Sequence, residues 1–118
     1  MRVLAFEDHY DIEAILVAGG VRTGDLVIEQ RWNSSDAVDW IRRFAPDVLL
    51  LDHFMPPKTG YDVLKSLLSS DAVRPTRIIA MSSASEKNHA MVALGADEGV
   101  VKFDLASLPF WPKTTGEI

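Results

Sequence analysis

The sequence predicts an α/β domain, a doubly wound parallel sheet of five strands with helices on both faces. Two observations carry this. Short apolar runs alternate with longer stretches of helical periodicity, joined by short loops, which is the pattern of repeated strand–helix crossovers. Three of the runs, Val3–Phe6, Val48–Leu51 and Ile78–Met81, are almost continuously apolar, as strands covered on both faces are. With 118 residues, 47% of them hydrophobic, the chain suffices for one core.

The elements follow in order. Val3–Phe6 is the first strand. Asp11–Ala18 is the first helix, with Ile12, Ile15 and Leu16 at helical spacing and Gly19-Gly20 stopping it. Leu26–Ile28 is the second strand. The second helix runs Ser35–Phe44, with Ser35 as cap, Ala37, Val38, Ile41 and Phe44 as its stripe, and Pro46 setting its end. Val48–Leu51 is the third strand, Tyr61–Leu68 the third helix, Ile78–Met81 the fourth strand, Ser85–Leu94 the fourth helix and Val100-Val101 the fifth strand. The pattern then changes. Pro109 and Pro112 forbid a long helix, so the expected fifth helix is truncated or absent. The chain therefore divides into a domain over 1–104 and an atypical tail over 105–118, where Thr114-Thr115-Gly116 reads as the start of a linker or a plain terminus.

Composition excludes several functions. The net charge is −5 with a pI near 5.0, and Arg42-Arg43 is the one basic pair, so no clustered basic face suggests nucleic acid. With no cysteine, disulfides, thiol catalysis and thiolate metal sites are excluded. No segment is long enough to span a bilayer, and the apolar stretch at the N-terminus is too short for a signal peptide. A cytoplasmic location is the expectation. His9, His53 and His89 lack metal-ligand spacing and read as non-functional.

Chemistry concentrates where strands end. Glu7 and Asp8 follow the first strand directly, and Asp52 follows the third. In open α/β sheets ligands bind outside the carboxyl ends of the strands, where chain order reverses. If the first and third strands flank that point, three carboxylates converge. Without a cation their repulsion would raise a pKa, and a hard oxygen-ligated ion that keeps waters and takes phosphate oxygens, Mg²⁺, suits them. Taken singly, each acid is also explained as a helix cap or a strand end.

In these residues the chain resembles the receiver domains of two-component signalling, over about residues 1–104. An acidic pair, Glu7-Asp8, ends the first strand. The acceptor stretch reads Asp52-His53-Phe54-Met55-Pro56-Pro57-Lys58-Thr59-Gly60, with the family's Asp, Met-Pro and Gly. Ser82 is the hydroxyl residue after the fourth strand, Gly95-Ala96-Asp97 precedes the fifth, and Lys102 ends it. The resemblance implies a flavodoxin-like strand order, 2-1-3-4-5. It implies that Asp52 is the phosphoacceptor, served by a histidine kinase or phosphotransfer protein. It also implies that Glu7, Asp8, Asp52 and the backbone carbonyl of Phe54 hold Mg²⁺, and that Lys102 and Ser82 contact the phosphoryl oxygens. Such a domain signals by protein contact and assists only its own phosphoryl transfer and hydrolysis.

Three departures from the family pattern shape the expectations. Gly99 stands where the family commonly has an aromatic switch residue, and Phe103 stands where a proline usually follows the lysine. Leu105 to Pro112 replaces the usual last helix, so Phe110 and Trp111 are expected either to fold back over the uncovered face or to form a dimer or downstream-partner contact. The side chains two positions after the acceptor and after the hydroxyl residue, Phe54 and Ala84, cannot orient a water, so a long phosphoryl lifetime is expected. Two competing readings remain. One is a pseudo-receiver, an interaction module of the same fold that is not productively phosphorylated. The other is a hydrolase with an aspartyl-phosphate intermediate, disfavoured because Phe54 occupies the place of a second catalytic acid.

Overall fold

A computed structural model describes residues 1–114. Five strands, β1 (Arg2–Phe6), β2 (Val27–Arg31), β3 (Val48–Leu51), β4 (Arg77–Ala80) and β5 (Glu98–Gly99), form one parallel sheet in the order 2-1-3-4-5. Between them lie α1 (Ile12–Ala18), α2 (Ala37–Phe44), α3 (Gly60–Leu68) and α4 (Ser85–Leu94), and a 3-10 helix, Lys102–Ser107, takes the place of a last α-helix. This is the predicted architecture, strand order included.

The two-residue period of the strands sorts the core into layers. Leu4, Phe6, Leu49, Leu51, Ile78 and Ala80 face α2, α3 and α4. Their neighbours Val3, Ala5, Val48, Leu50, Ile79 and Met81 face α1 and the C-terminal segment. Because both faces are covered, β3 is apolar throughout and all four of its residues are buried. Two helices carry side-chain caps: Asp11 accepts from Ala14 N at 3.2 Å, and Thr59 Oγ1 accepts from Asp62 N at 3.1 Å.

Several boundaries differ from expectation. β5 is Glu98–Gly99, not Val100-Val101. Pairing with β4 runs Ile79 to Glu98 and Ala80 to Gly99, and after Val100 N–H donates to Ala80 O the chain leaves the sheet. The apolar pair thus marked the strand's exit, and Lys102 opens the 3-10 helix instead of ending a strand. β2 is displaced toward the C-terminus, to Val27–Arg31, because an edge strand needs no continuous apolar run. α2 starts at Ala37, with Asp36 in the left-handed region (φ 54°) and no side-chain cap, so Ser35 does not cap it. The Pro56–Pro57 bond is cis and the bond after Lys102 is trans.

Leu105, Leu108 and Trp111 are buried in the α1-side core, and Phe110 packs against it. The Trp111 indole N–H donates to Leu105 O at 2.9 Å, and the Arg77 guanidinium lies 4.5 Å from the Phe110 ring. Of the two expected roles for this pair, the structure shows covering of the sheet. Trp111 is 3% exposed and its indole lies within the core on that face. Backbone bonds from Arg22 N to Pro112 O (2.8 Å) and from Thr114 N to Gly20 O (2.7 Å) pin the segment across the end of α1. In the expected linker start, Thr115 and Gly116 lie outside the described residues. Among the described residues no helix is long and apolar enough to cross a membrane.

Candidate functional site

Strands β1 and β3 are adjacent, and from β1 the chain order runs outward to β2 on one side and to β3 on the other. The carboxyl ends of this pair are therefore the topological switch point. Glu7 and Asp8 leave β1 there, and Asp52 leaves β3, its N–H donating to Phe6 O at 3.0 Å. Carboxylate oxygens of Glu7, Asp8 and Asp52 all lie within 4.8 Å of one another. Glu7 and Asp52 are buried, at 0% and 3% exposure, whereas Asp8 is exposed.

Lys102 reaches into this cluster from the start of the 3-10 helix. Its Nζ is 2.8 Å from Glu7 Oε1 and 3.7 Å from Asp52 Oδ1, and it lies 5.2 Å from the Tyr10 ring centroid. Lys102 is itself buried. Two of the three carboxylates thus share one ammonium. Glu7 Oε1 and Asp52 Oδ1 have the lysine's charge nearby but make no hydrogen bond. Burial, and next the charge of Glu7, push the Asp52 carboxyl up to about 6, against the opposing pull of Lys102 and of the His53 backbone N–H. Buried acceptor atoms without donors, in a hard-oxygen set with surplus negative charge, fit a divalent cation such as Mg²⁺.

Ser82 follows β4, fully buried, with its Oγ accepting from Ala84 N at 3.1 Å. Phe54 is 53% exposed, its ring meeting His53 edge-on at 4.8 Å. Burial lowers the His53 imidazole, and the Lys87 charge adds to this against Asp62. Gly60 opens α3 with its N–H on His53 O (2.8 Å), and a Cβ at this position would lie 2.0 Å from Asp52 O. Only glycine lets the helix start this close to the Asp52 backbone. Phe110 and Trp111 lie in the opposite core layer from α2, α3 and α4, and take no part in the cluster.

Three polar side chains that sequence reasoning passed over hold the loops of the site. Gln30, in β2, receives Ile12 N–H and donates to Glu7 O (3.0 Å) and Tyr10 O (2.8 Å), bracing the loop that carries the acid pair. Glu7 Oε2 helps by accepting from His9 N and Tyr10 N. Ser34, 2% exposed, both donates to Lys58 O and accepts from Lys58 N at 2.7 Å, while its N–H bonds Pro56 O. It ties the loop after Asp52 to the loop before α2. Asn88 holds Ser82. Gln30 reads as an ordinary edge-strand residue and Ser34 as a turn residue. Only Asn88, a poor helix former inside α4, left a signal.

Comparison with known proteins agrees with this geometry. A sequence model of the response regulator receiver domain matches residues 3–106. A protein-glutamate methylesterase/protein-glutamine glutaminase of Bacillus licheniformis is 30% identical over 104 residues, covering 88% of this chain and 24% of the relative. The probable transcriptional regulatory protein TcrX of Mycobacterium tuberculosis is 31% identical over 100 residues, covering 85% and 42%. The chain thus spans less than half the length of either. Among solved structures, the signal receiver domain of a DNA binding response regulator from Colwellia psychrerythraea superimposes with a TM-score of 0.70 at 26% identity, covering 93% of this chain and 89% of that one. The response regulator domain of Thermotoga maritima CheB gives 0.68 at 25%, covering 86% and 78%. With the expected strand order, the acid cluster at the switch point and a family match over nearly its whole length, the chain belongs to the response regulator receiver domains of two-component signalling.

Proposed function

We propose that the chain accepts a phosphoryl group on Asp52 from the phosphohistidine of a histidine kinase or phosphotransfer protein, with Mg²⁺, and passes the signal on by protein contact. The observation that carries this is Lys102 Nζ, buried between Glu7 and Asp52 at 2.8 and 3.7 Å beside the exposed Asp8. A domain kept only for its fold has no need to bury an ammonium between two buried acids.

In the proposed reaction an Asp52 carboxylate oxygen forms a bond to phosphorus. The phosphorus–nitrogen bond of the donor breaks, and the leaving imidazole keeps the electron pair and is protonated. Glu7, Asp8, Asp52 and the Phe54 carbonyl would hold the metal, which when bound offsets charge on the transferred group. Lys102 shifts from Glu7 and Asp52 toward a phosphoryl oxygen as a compact positive charge. The Ser82 oxygen already accepts from Ala84 N, so its proton is available to donate to another phosphoryl oxygen.

Thermal unfolding tests the reading. Mg²⁺ with beryllofluoride, a phosphoryl mimic, is expected to raise the Tm of the wild type and to leave Asp52→Asn unmoved. Equal shifts in both proteins, or none in the wild type, would contradict it.

A further inference from the structure

The side-chain amide of Asn88 sits where three elements meet. Its Oδ1 accepts from Ser82 N at 2.7 Å, and its Nδ2 donates to Ser82 O at 2.9 Å and to Val100 O at 3.1 Å. One side chain on α4 therefore holds both backbone groups of Ser82, at the end of β4, and the first residue beyond β5. Asn88 is 2% exposed and Ser82 is fully buried. No water replaces a bond lost in such a place, so the three bonds act as one joint.

Gly99 makes the joint possible. A Cβ at this position would lie 2.9 Å from Asn88 Cβ, 3.5 Å from Asn88 O and 3.5 Å from Val92 Cγ2. A side chain at residue 99 would crowd the Asn88 Cβ and force it to shift. The bare Gly99 thus leaves room for α4 at the distance from which its asparagine reaches the carbonyl beyond β5. The helix itself gains nothing from an asparagine in its interior, so the position is explained by what the amide touches.

We infer that Asn88 is a positioning residue that couples Ser82 to α4 and to the exit of β5, carrying a displacement of Ser82 to Val100 without a rotating aromatic side chain. This rests on Asp52 being the phosphoacceptor, because a phosphoryl group there is what draws the Ser82 hydroxyl inward. The bonds to Ser82 are close to ideal length, and a movement of roughly 1 Å would break them unless α4 followed.

The test is two-dimensional NMR of the full chain with Mg²⁺, before and after beryllofluoride. In the wild type, the Asn88 side-chain NH₂ pair and the Val100 amide shift together with the Ser82 amide. Asn88→Asp keeps the acceptor for Ser82 N–H but loses both donated bonds. There Ser82 still responds, and the Val100 and Gly99 responses fall several-fold. Gly99→Ala, which displaces Asn88 without altering its amide, gives the same uncoupling. A Val100 response of full size in either variant overturns the inference. The wild-type spectra decide alone should both variants fail to fold: an Asn88 NH₂ pair that stays put while Ser82 moves also overturns it. If no wild-type amide responds, those of Asp52 and Ser82 included, it is the phosphoacceptor reading that falls.

Discussion

Replacing Asp52 by asparagine should stabilise the metal-free protein at neutral pH, although it removes the residue on which the proposed function turns. The Asp52 carboxyl is raised from 3.8 to about 6 by burial and by the charge of Glu7. A group whose folded pKa is raised contributes stability that is fully present below its unfolded value. That stability is lost as pH climbs through the folded value. The difference, 6 − 3.8 or 2.2 units, corresponds to about 3 kcal/mol at 1.36 kcal/mol per unit. Relaxation of the surroundings around the ionised acid reduces this, so about 1–3 kcal/mol is expected. For a domain of this size each kcal/mol raises Tm by roughly 3–6 °C, so a rise of roughly 3–18 °C is expected. Urea unfolding in a chelator checks it. The two proteins should be equally stable near pH 4 and should diverge between pH 4 and 6, with Asp52→Asn ahead by pH 7.5. Added Mg²⁺ should stabilise the wild type preferentially and narrow the gap by mass action. A variant no more stable at pH 7.5, or an advantage that grows on acidification, would refute the reasoning.

Other expectations follow from the same geometry. Lys102→Met should slow phosphoryl transfer to Asp52 by about 10- to 100-fold in rapid-quench assays, the effect of losing one charge-assisted contact of about 1.5–3 kcal/mol; an unchanged rate would remove the ammonium from the mechanism. Gly60→Ala places a Cβ 2.0 Å from the Asp52 carbonyl oxygen. It should cost about 1–3 kcal/mol or more in chemical denaturation, and a neutral result would mean that α3 can back away from the acceptor. Phe54→Asn supplies an amide where a half-exposed phenyl ring stands and should shorten the lifetime of the phosphorylated protein several-fold, followed as loss of label with time.

The sheet was legible because its central strands are buried on both faces, leaving unbroken apolar runs at Val3–Phe6, Val48–Leu51 and Ile78–Met81. The acids at the ends of two of those runs were legible because strand ends at the switch point are where such a sheet places ligands. Edges were harder. β2 and β5 carry polar residues, such as the half-buried Glu29 and the exposed Glu98, so pattern alone misplaced β2 and assigned β5 to the two valines that follow it. The braces were hidden for another reason. Gln30, Ser34 and Asn88 act through backbone groups far along the chain, and a backbone carbonyl has no sequence signature. The role of Trp111 depended on whether its own chain covered the sheet, which only the packing of Leu105 and Leu108 beside it decides.

Intact-protein mass spectrometry reads phosphorylation of Asp52 without an intermediate assay. The wild-type chain and Asp52→Asn are each incubated with a phosphorylated histidine donor, with and without Mg²⁺, and the modified residue is mapped by peptide analysis. A gain of one phosphoryl group on Asp52, labile to hydroxylamine, is expected; it requires Mg²⁺ and is absent from the variant. A wild-type mass that stays unchanged with every histidine donor and small phosphodonor tried, or equal labelling of Asp52→Asn, would contradict it.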